Sequence, residues 1–168
     1  GPQRFGSTRP VTPEVGRGFV ESDFQGAVST YIGMKGIESR EDVEEFRKLW
    51  RETKNATACL EIIPKHLGFE RSMLERLEKS PDDYLGAFKS LPQSLQILMV
   101  HSLQSLAFNH TLRARLTGGM EITRPSIGDI VAPISENGRL DTGKSTIVGK
   151  WNLDRCVKNA LKLSLIHI

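Results

Sequence analysis

Between Pro92 and Leu116 the sequence PQSLQILMVHSLQSLAFNHTLRARL contains no glycine and no internal proline. Pro92 suits a first helical position, where its missing N–H costs nothing. Leu95, Leu98, Met99, Leu103, Leu106, Leu112 and Leu116 recur at helical spacing, and Ile97, Val100, Ala107 and Phe108 fill the other sides. A helix that is apolar nearly all round in its first half is expected to be buried. This one is therefore read as the central helix of a domain, and other helices must supply its cover. Its polar members then stand out: His101, Gln104, Ser105, Asn109 and Arg113. Gln104 and Ser105 precede Asn109 by about one turn and can line part of one groove with it. The alternative is that they are hydrogen-bonded core or surface polar groups.

The preceding sequence offers that cover. Residues 1–13 are loop-like, with Pro2, Pro10 and Pro13. From Glu14 to about Gly33, Val15, Phe19, Phe24, Ala27, Val28 and Tyr31 share a helical face. A break falls near Ser22-Asp23, either of which can cap the second piece. Ser39 reads as the N-cap of the next helix, with Asp42 three residues on. Val43, Phe46, Leu49 and Trp50 form its apolar stripe. Glu41, Glu44, Glu45, Arg47, Lys48 and Arg51 form a face expected to be solvated. Short helices are predicted over Thr57–Ile63, stopped by Pro64, and over Glu70–Lys79. Another follows the Ser80-Pro81-Asp82-Asp83 cap, through Tyr84, Leu85, Ala87 and Phe88.

After Thr117-Gly118-Gly119 the period changes. Met120–Thr123, Gly128–Pro133 and Ser145–Trp151 are short, turn-bounded runs that read as strands. Asn137-Gly138 is hairpin-turn chemistry, and Leu153–Leu161 opens another helix. The fold class is thus α+β: a helical block over residues 1–116, then a β-rich unit over residues 117–168.

Composition narrows the function classes. A chain of 168 residues with a net charge of +3 can bury a core and permits a polyanionic partner without demanding one. Cys59 and Cys156 stand far apart, and His66, His101, His110 and His167 are scattered. Neither a zinc site nor a disulfide framework is expected, and a reducing, cytoplasmic setting fits. No run reaches the length of a membrane span. The sequons at Asn55 and Asn109 are therefore not read as glycosylation sites.

One motif is misleading. Gly138 to Ser145, GRLDTGKS, matches the P-loop pattern in full. That loop needs a following helix whose N-terminal amides face phosphate, but Ser145 to Gly149 reads as strand. Asp141 would add negative charge to the cradle, and no later strand ends in an Asp for magnesium. A P-loop nucleotide binder and a non-catalytic helical RNA-binding module remain the rival readings.

The opening hexapeptide GPQRFG places Gln3, Arg4 and Phe5 between glycines. An amide, a guanidinium and a ring on a short loop can read a planar polar ligand. A loop with its Phe anchored in the core is the alternative. GPQRFG followed by RPVTPEVGR resembles the second half of the Asn-aromatic-aromatic-Gly-x-Gln-Arg-Phe-Gly string of the TruD family of tRNA pseudouridine synthases. The resemblance continues, in order, through KHLGFERSMLERL, DDYLGAFKSLPQSL, HSLQSLAFNHTLRARL and PSIGDIV. The helical stretch between residues 38 and 90 is similar to the longer archaeal and eukaryotic form, and RPVT favours the archaeal one.

The resemblance implies isomerisation of uridine to pseudouridine in tRNA, usually at the uridine conventionally numbered thirteen, without metal or organic cofactor. It implies that the catalytic Asp, in a Gly-x-Lys-Asp context, and the base-stacking aromatic lie upstream of Gly1. The chain is then an internal fragment, expected to be inactive alone, and no Asp here inherits the catalytic role. Gln3, Arg4, Phe5 and Gly6 are expected to wall the flipped base, with Gln104, Ser105 and Asn109 bordering the same cleft and Phe108 packing. The β-rich segment corresponds to the start of the family's insertion domain. Lys162–Ile168 departs from the family's expected continuation. A monomer is the expected state.

Overall fold

The computed structural model describes residues 9–37 and 40–159, and the backbone of 163–166. The described chain divides into a helical unit ending at Leu106 and a second unit beginning at Ala107.

In the helical unit, α1 (Thr12–Val20) and α2 (Phe24–Gly33) are separated by a turn in which Ser22 adopts φ 62°. The Asp23 side chain accepts from the Gly26 amide at 2.8 Å, so this is the capping residue. α3 (Glu41–Thr53) follows, with Arg40 at its N-cap and no side-chain cap. The expected cap, Ser39, lies outside the described residues. α4 (Ala56–Ile62) is capped by Asn55, α5 (Gly68–Lys79) begins two residues earlier than the spacing suggests, and α6 (Tyr84–Lys89) is capped by Asp83. The core is built from Ile32, Phe46, Trp50, Leu74 and Phe88, none more than 2% exposed. Phe19 stacks on Phe88 at 4.6 Å between centroids and meets Phe24 edge-on at 5.5 Å.

α7 (Gln93–Thr117) is the predicted long helix, with Pro92 just outside it. Its burial differs from expectation. Met99 is fully buried, but Ile97 and Leu98 are about half exposed at 46% and 52%. The described helical unit covers one stripe of α7, not its circumference. Where it does so, contact is close: a Cβ on Gly16 of α1 would stand 2.1 Å from the Met99 carbonyl oxygen. Only a residue without a side chain allows α1 that approach.

The second unit is a small antiparallel sheet with one helix. β1 (Ile130–Pro133) lies between β2 (Thr146–Ile147) and β3 (Leu163–Ile166). Ile130 pairs with Ile147 on one side and Ile166 on the other. α8 (Leu153–Lys158) sets Cys156 and Leu153 against Val131 and Val148. The α+β class is thus present. The Asn137-Gly138 turn also forms, with Gly138 at φ 77° and Ile134 bridged to Leu140. Two strand expectations fail. Met120–Thr123 forms no strand, and the predicted Ser145–Trp151 strand is reduced to Thr146–Ile147. Both failures trace to side chains that take over the backbone's hydrogen bonds, described next.

Candidate functional site

Gln3, Arg4, Phe5 and Gly6 lie outside the described residues. The described chain begins at Arg9, three residues beyond Gly6, and Arg9 is tied deep into the helical unit. Its Nη1 donates to the Tyr31 carbonyl at 2.5 Å, and its Nη2 donates to Glu70 Oε1 at 3.3 Å. Its guanidinium stands over the Tyr31 ring at 5.5 Å. The same Glu70 oxygen accepts from Arg47 Nη2 at 3.2 Å, while Arg47 Nη1 holds the Ile32 carbonyl at 2.6 Å. All three charged side chains are at most 10% exposed. Arg47 therefore corrects the solvated-face expectation for α3: it turns inward to share a buried carboxylate. Burial, reinforced by the Glu70 charge, pushes the Tyr31 phenol up to about 12, against the opposing pull of Arg9 and Arg47.

α7 carries the other three predicted site residues. Ser105 and Asn109 are half-buried and Gln104 is exposed. At 100° per residue Ser105 and Asn109 share a face with Phe108 and Leu112, both also half-buried, whereas Gln104 points a quarter-turn or more away from Ser105 and Asn109 and neighbours Phe108 instead. The helix thus aligns two of the three.

In the second unit, Arg115 is the organising residue, 4% exposed. Its Nη1 contacts both oxygens of Asp129 at 2.8 Å. Nε and Nη2 reach the Glu121 carbonyl at 3.1 and 2.9 Å, and Nη2 also takes the Arg124 carbonyl. Asp129 in turn accepts from the Ser126 amide at 2.7 Å. The guanidinium, with five fixed donors, satisfies the carbonyls a strand would have paired, so residues 120–123 form a loop. Asn152 acts similarly: Oδ1 accepts from the Gly149 amide at 2.7 Å and Nδ2 donates to the Ile147 carbonyl at 3.0 Å. This clamp turns the chain after β2.

The P-loop reading fails on geometry. Thr142–Lys144 is a single 3-10 turn followed by β2, not by a helix, and Lys144 Nζ lies 3.0 Å from Asp141 Oδ2. Among the described residues no group of three or more His, Cys, Asp or Glu side chains could hold a metal.

The single-chain reading did not single out Arg9, Arg47, Glu70, Arg115, Asp129 or Asn152. Four of these lie in the strings RPVTPEVGR, KHLGFERSMLERL, HSLQSLAFNHTLRARL and PSIGDIV, so the signal was present without its geometry. Charge is also divided unevenly. Residues 107–168 carry nine Lys and Arg against five Asp and Glu, whereas residues 1–106 carry fourteen against fifteen.

Comparison with known proteins gives these features a context. The family model described as tRNA pseudouridine synthase D (TruD) matches residues 1–165, which takes in part of the tail expected to depart from the family. A relative from Methanosarcina barkeri, named "Probable tRNA pseudouridine synthase D", is 40% identical over 145 residues, covering 86% of this chain and 33% of the relative. One of the same name from Methanopyrus kandleri is 42% identical over 134 residues, covering 77% and 33%. A crystal structure of a TruD protein from Methanosarcina mazei superposes with a TM-score of 0.88 at 35% identity, covering 96% of this chain and 37% of that one. The chain spans about a third of the length of the curated relatives it matches. With a match over nearly every residue and a shared fold, the chain belongs to the TruD family of tRNA pseudouridine synthases.

Proposed function

We propose that this chain serves as part of a TruD-type synthase that isomerises a uridine in tRNA to pseudouridine. The observation that carries the reading is the family match over residues 1–165, which spans both units and every motif string quoted above. Residues 1–116 then belong to the catalytic domain and residues 117–168 begin the insertion domain. The target uridine must leave its stack to expose the glycosidic bond, at a cost of roughly a few kcal/mol. Gln3, Arg4, Phe5 and Gly6 form the wall beside the flipped base. The buried Arg9–Glu70–Arg47 group fixes the point from which that wall departs, because Arg9 is held by a carbonyl, a carboxylate and a ring together. Gln104, Ser105 and Asn109 on α7 are the further candidates for contact with the RNA. The excess of Lys and Arg after residue 106 suits an RNA backbone. The catalytic Asp is supplied from outside this sequence.

The test is a conversion assay on an unmodified tRNA transcript, with the full-length gene product and this chain run in parallel. The expected result is pseudouridine with the full-length protein and none with the chain alone. Turnover by the chain alone would overturn the assignment of the catalytic Asp. No turnover by the full-length protein would overturn the function.

A further inference from the structure

Trp151 is 79% exposed, the most exposed aromatic ring among the described residues, yet it is seated. A Cβ added to Gly149 would lie 1.8 to 2.4 Å from three carbons of the six-membered ring, so Trp151 occupies the space that a side chain at 149 would fill. The turn beneath it is fixed. The Gly149 carbonyl accepts from the amides of Asn152 and Leu153 at 3.2 and 3.0 Å, and the buried Asn152 side chain clamps Gly149 and Ile147. A large aromatic side chain left in water on a rigid turn has no role in the core of this unit, which is formed by Val131, Val148, Leu153 and Cys156.

Its surroundings are cationic. Over residues 141–159, Lys144, Lys150, Arg155 and Lys158 are opposed by Asp154 and by Asp141, which pairs with Lys144 at 3.0 Å. A groove of about 550 Å³ lies between residues 124–127 and α8, with Arg124, Lys158 and Asp154 on its walls. A second, of about 350 Å³, lies on the Cys156 side of α8 and carries Lys144 and Arg155. Trp151 lines neither groove itself but stands on the turn that leads into α8, whose residues line both. An exposed ring combined with grooves that carry cations is the arrangement that binds single-stranded nucleic acid: bases stack on the ring and phosphates follow the cations.

We propose that Trp151 is a stacking platform for an unpaired base of the RNA substrate, with the Lys and Arg side chains flanking α8 holding the adjoining phosphates. This rests on the reading of the chain as part of an RNA-modifying enzyme, and adds a contact point in the second unit.

The experiment titrates the 168-residue chain with a short single-stranded oligouridylate, an abasic strand of the same length and an RNA duplex, following tryptophan fluorescence and affinity. Trp50 is fully buried and supplies a constant background, so quenching reports Trp151. Expected are quenching by oligouridylate but not by the abasic strand, and weaker binding to the duplex. Trp151→Ala should weaken oligouridylate binding by roughly tenfold, the size of one lost base stack. Trp151→Phe, which keeps a ring, should retain most of the affinity. Unchanged affinity in Trp151→Ala, or equal quenching by the abasic strand, would overturn the platform. A full-length protein that converts tRNA while Trp151→Ala in it leaves tRNA affinity intact would overturn it too, with the enzymatic reading standing. Stacking without conversion by the full-length protein would remove the enzymatic reading alone.

Discussion

Arg9 from the start of the described chain and Arg47 from α3 reach the same oxygen of Glu70, with little water near any of them. Removing that carboxylate takes away the counter-charge that two buried guanidinium groups share. Glu70→Gln is therefore expected to lower stability by about 3–5 kcal/mol, read as a fall in the urea midpoint. Under the proposed function it should also raise KM for tRNA in the full-length protein, because Arg9 loses its carboxylate partner. Tyr31 provides a second reading of the same site. Its phenol is held neutral, up to about 12, against an ordinary value of 10.0. A raised folded-state value means the contribution is whole below the unfolded value and is lost as pH rises through the folded one. Stability should thus decline between about pH 10 and 12, and Tyr31→Phe should flatten that part of the denaturation profile.

At the scale of elements, helix boundaries follow local chemistry and helix burial does not. Asp23, Asn55 and Asp83 cap α2, α4 and α6 through their own side-chain oxygens, an interaction three residues long. Asp23→Ala should cost about 1 kcal/mol and Asp23→Asn much less, measurable by thermal melting. The α1–α7 contact depends on Gly16 instead. Gly16→Ala would drive a methyl group into the Met99 backbone, which cannot rotate away. A loss of roughly 1–3 kcal/mol is expected, despite the better helix propensity of Ala. Such a contact is invisible in a hydrophobic pattern. The expected strands fail for a related reason: Arg115 binds carbonyls of the 120–124 stretch, and past Val148, which still pairs with Gly128 and Asp129, Asn152 takes the Gly149 amide.

For the molecule as a whole, the charge division sets an expectation about binding. If Arg124, Lys150, Arg155 and Lys158 each neutralise a phosphate, log affinity for single-stranded RNA should fall against log salt with a slope of about −3. Lys158→Ala should reduce that slope by about 0.7, and a flat response would remove RNA from consideration as the partner of this surface. The family, the α+β class, the order of helices and most caps were legible in the residues, because each depends on spacing along the chain or on strings a few residues long. The dismissal of the P-loop pattern was legible as well, since a strand after Ser145 is a local property. Which polar residues matter was not. Arg47 reads as one more surface cation until α2 and α5 bring Ile32 and Glu70 to it. Buried charge pairs join residues as far apart as Arg9 and Glu70, and chain spacing carries no record of which distant groups will exclude water together. Tertiary packing alone decides that, because the energy of a charge depends on what replaces its water.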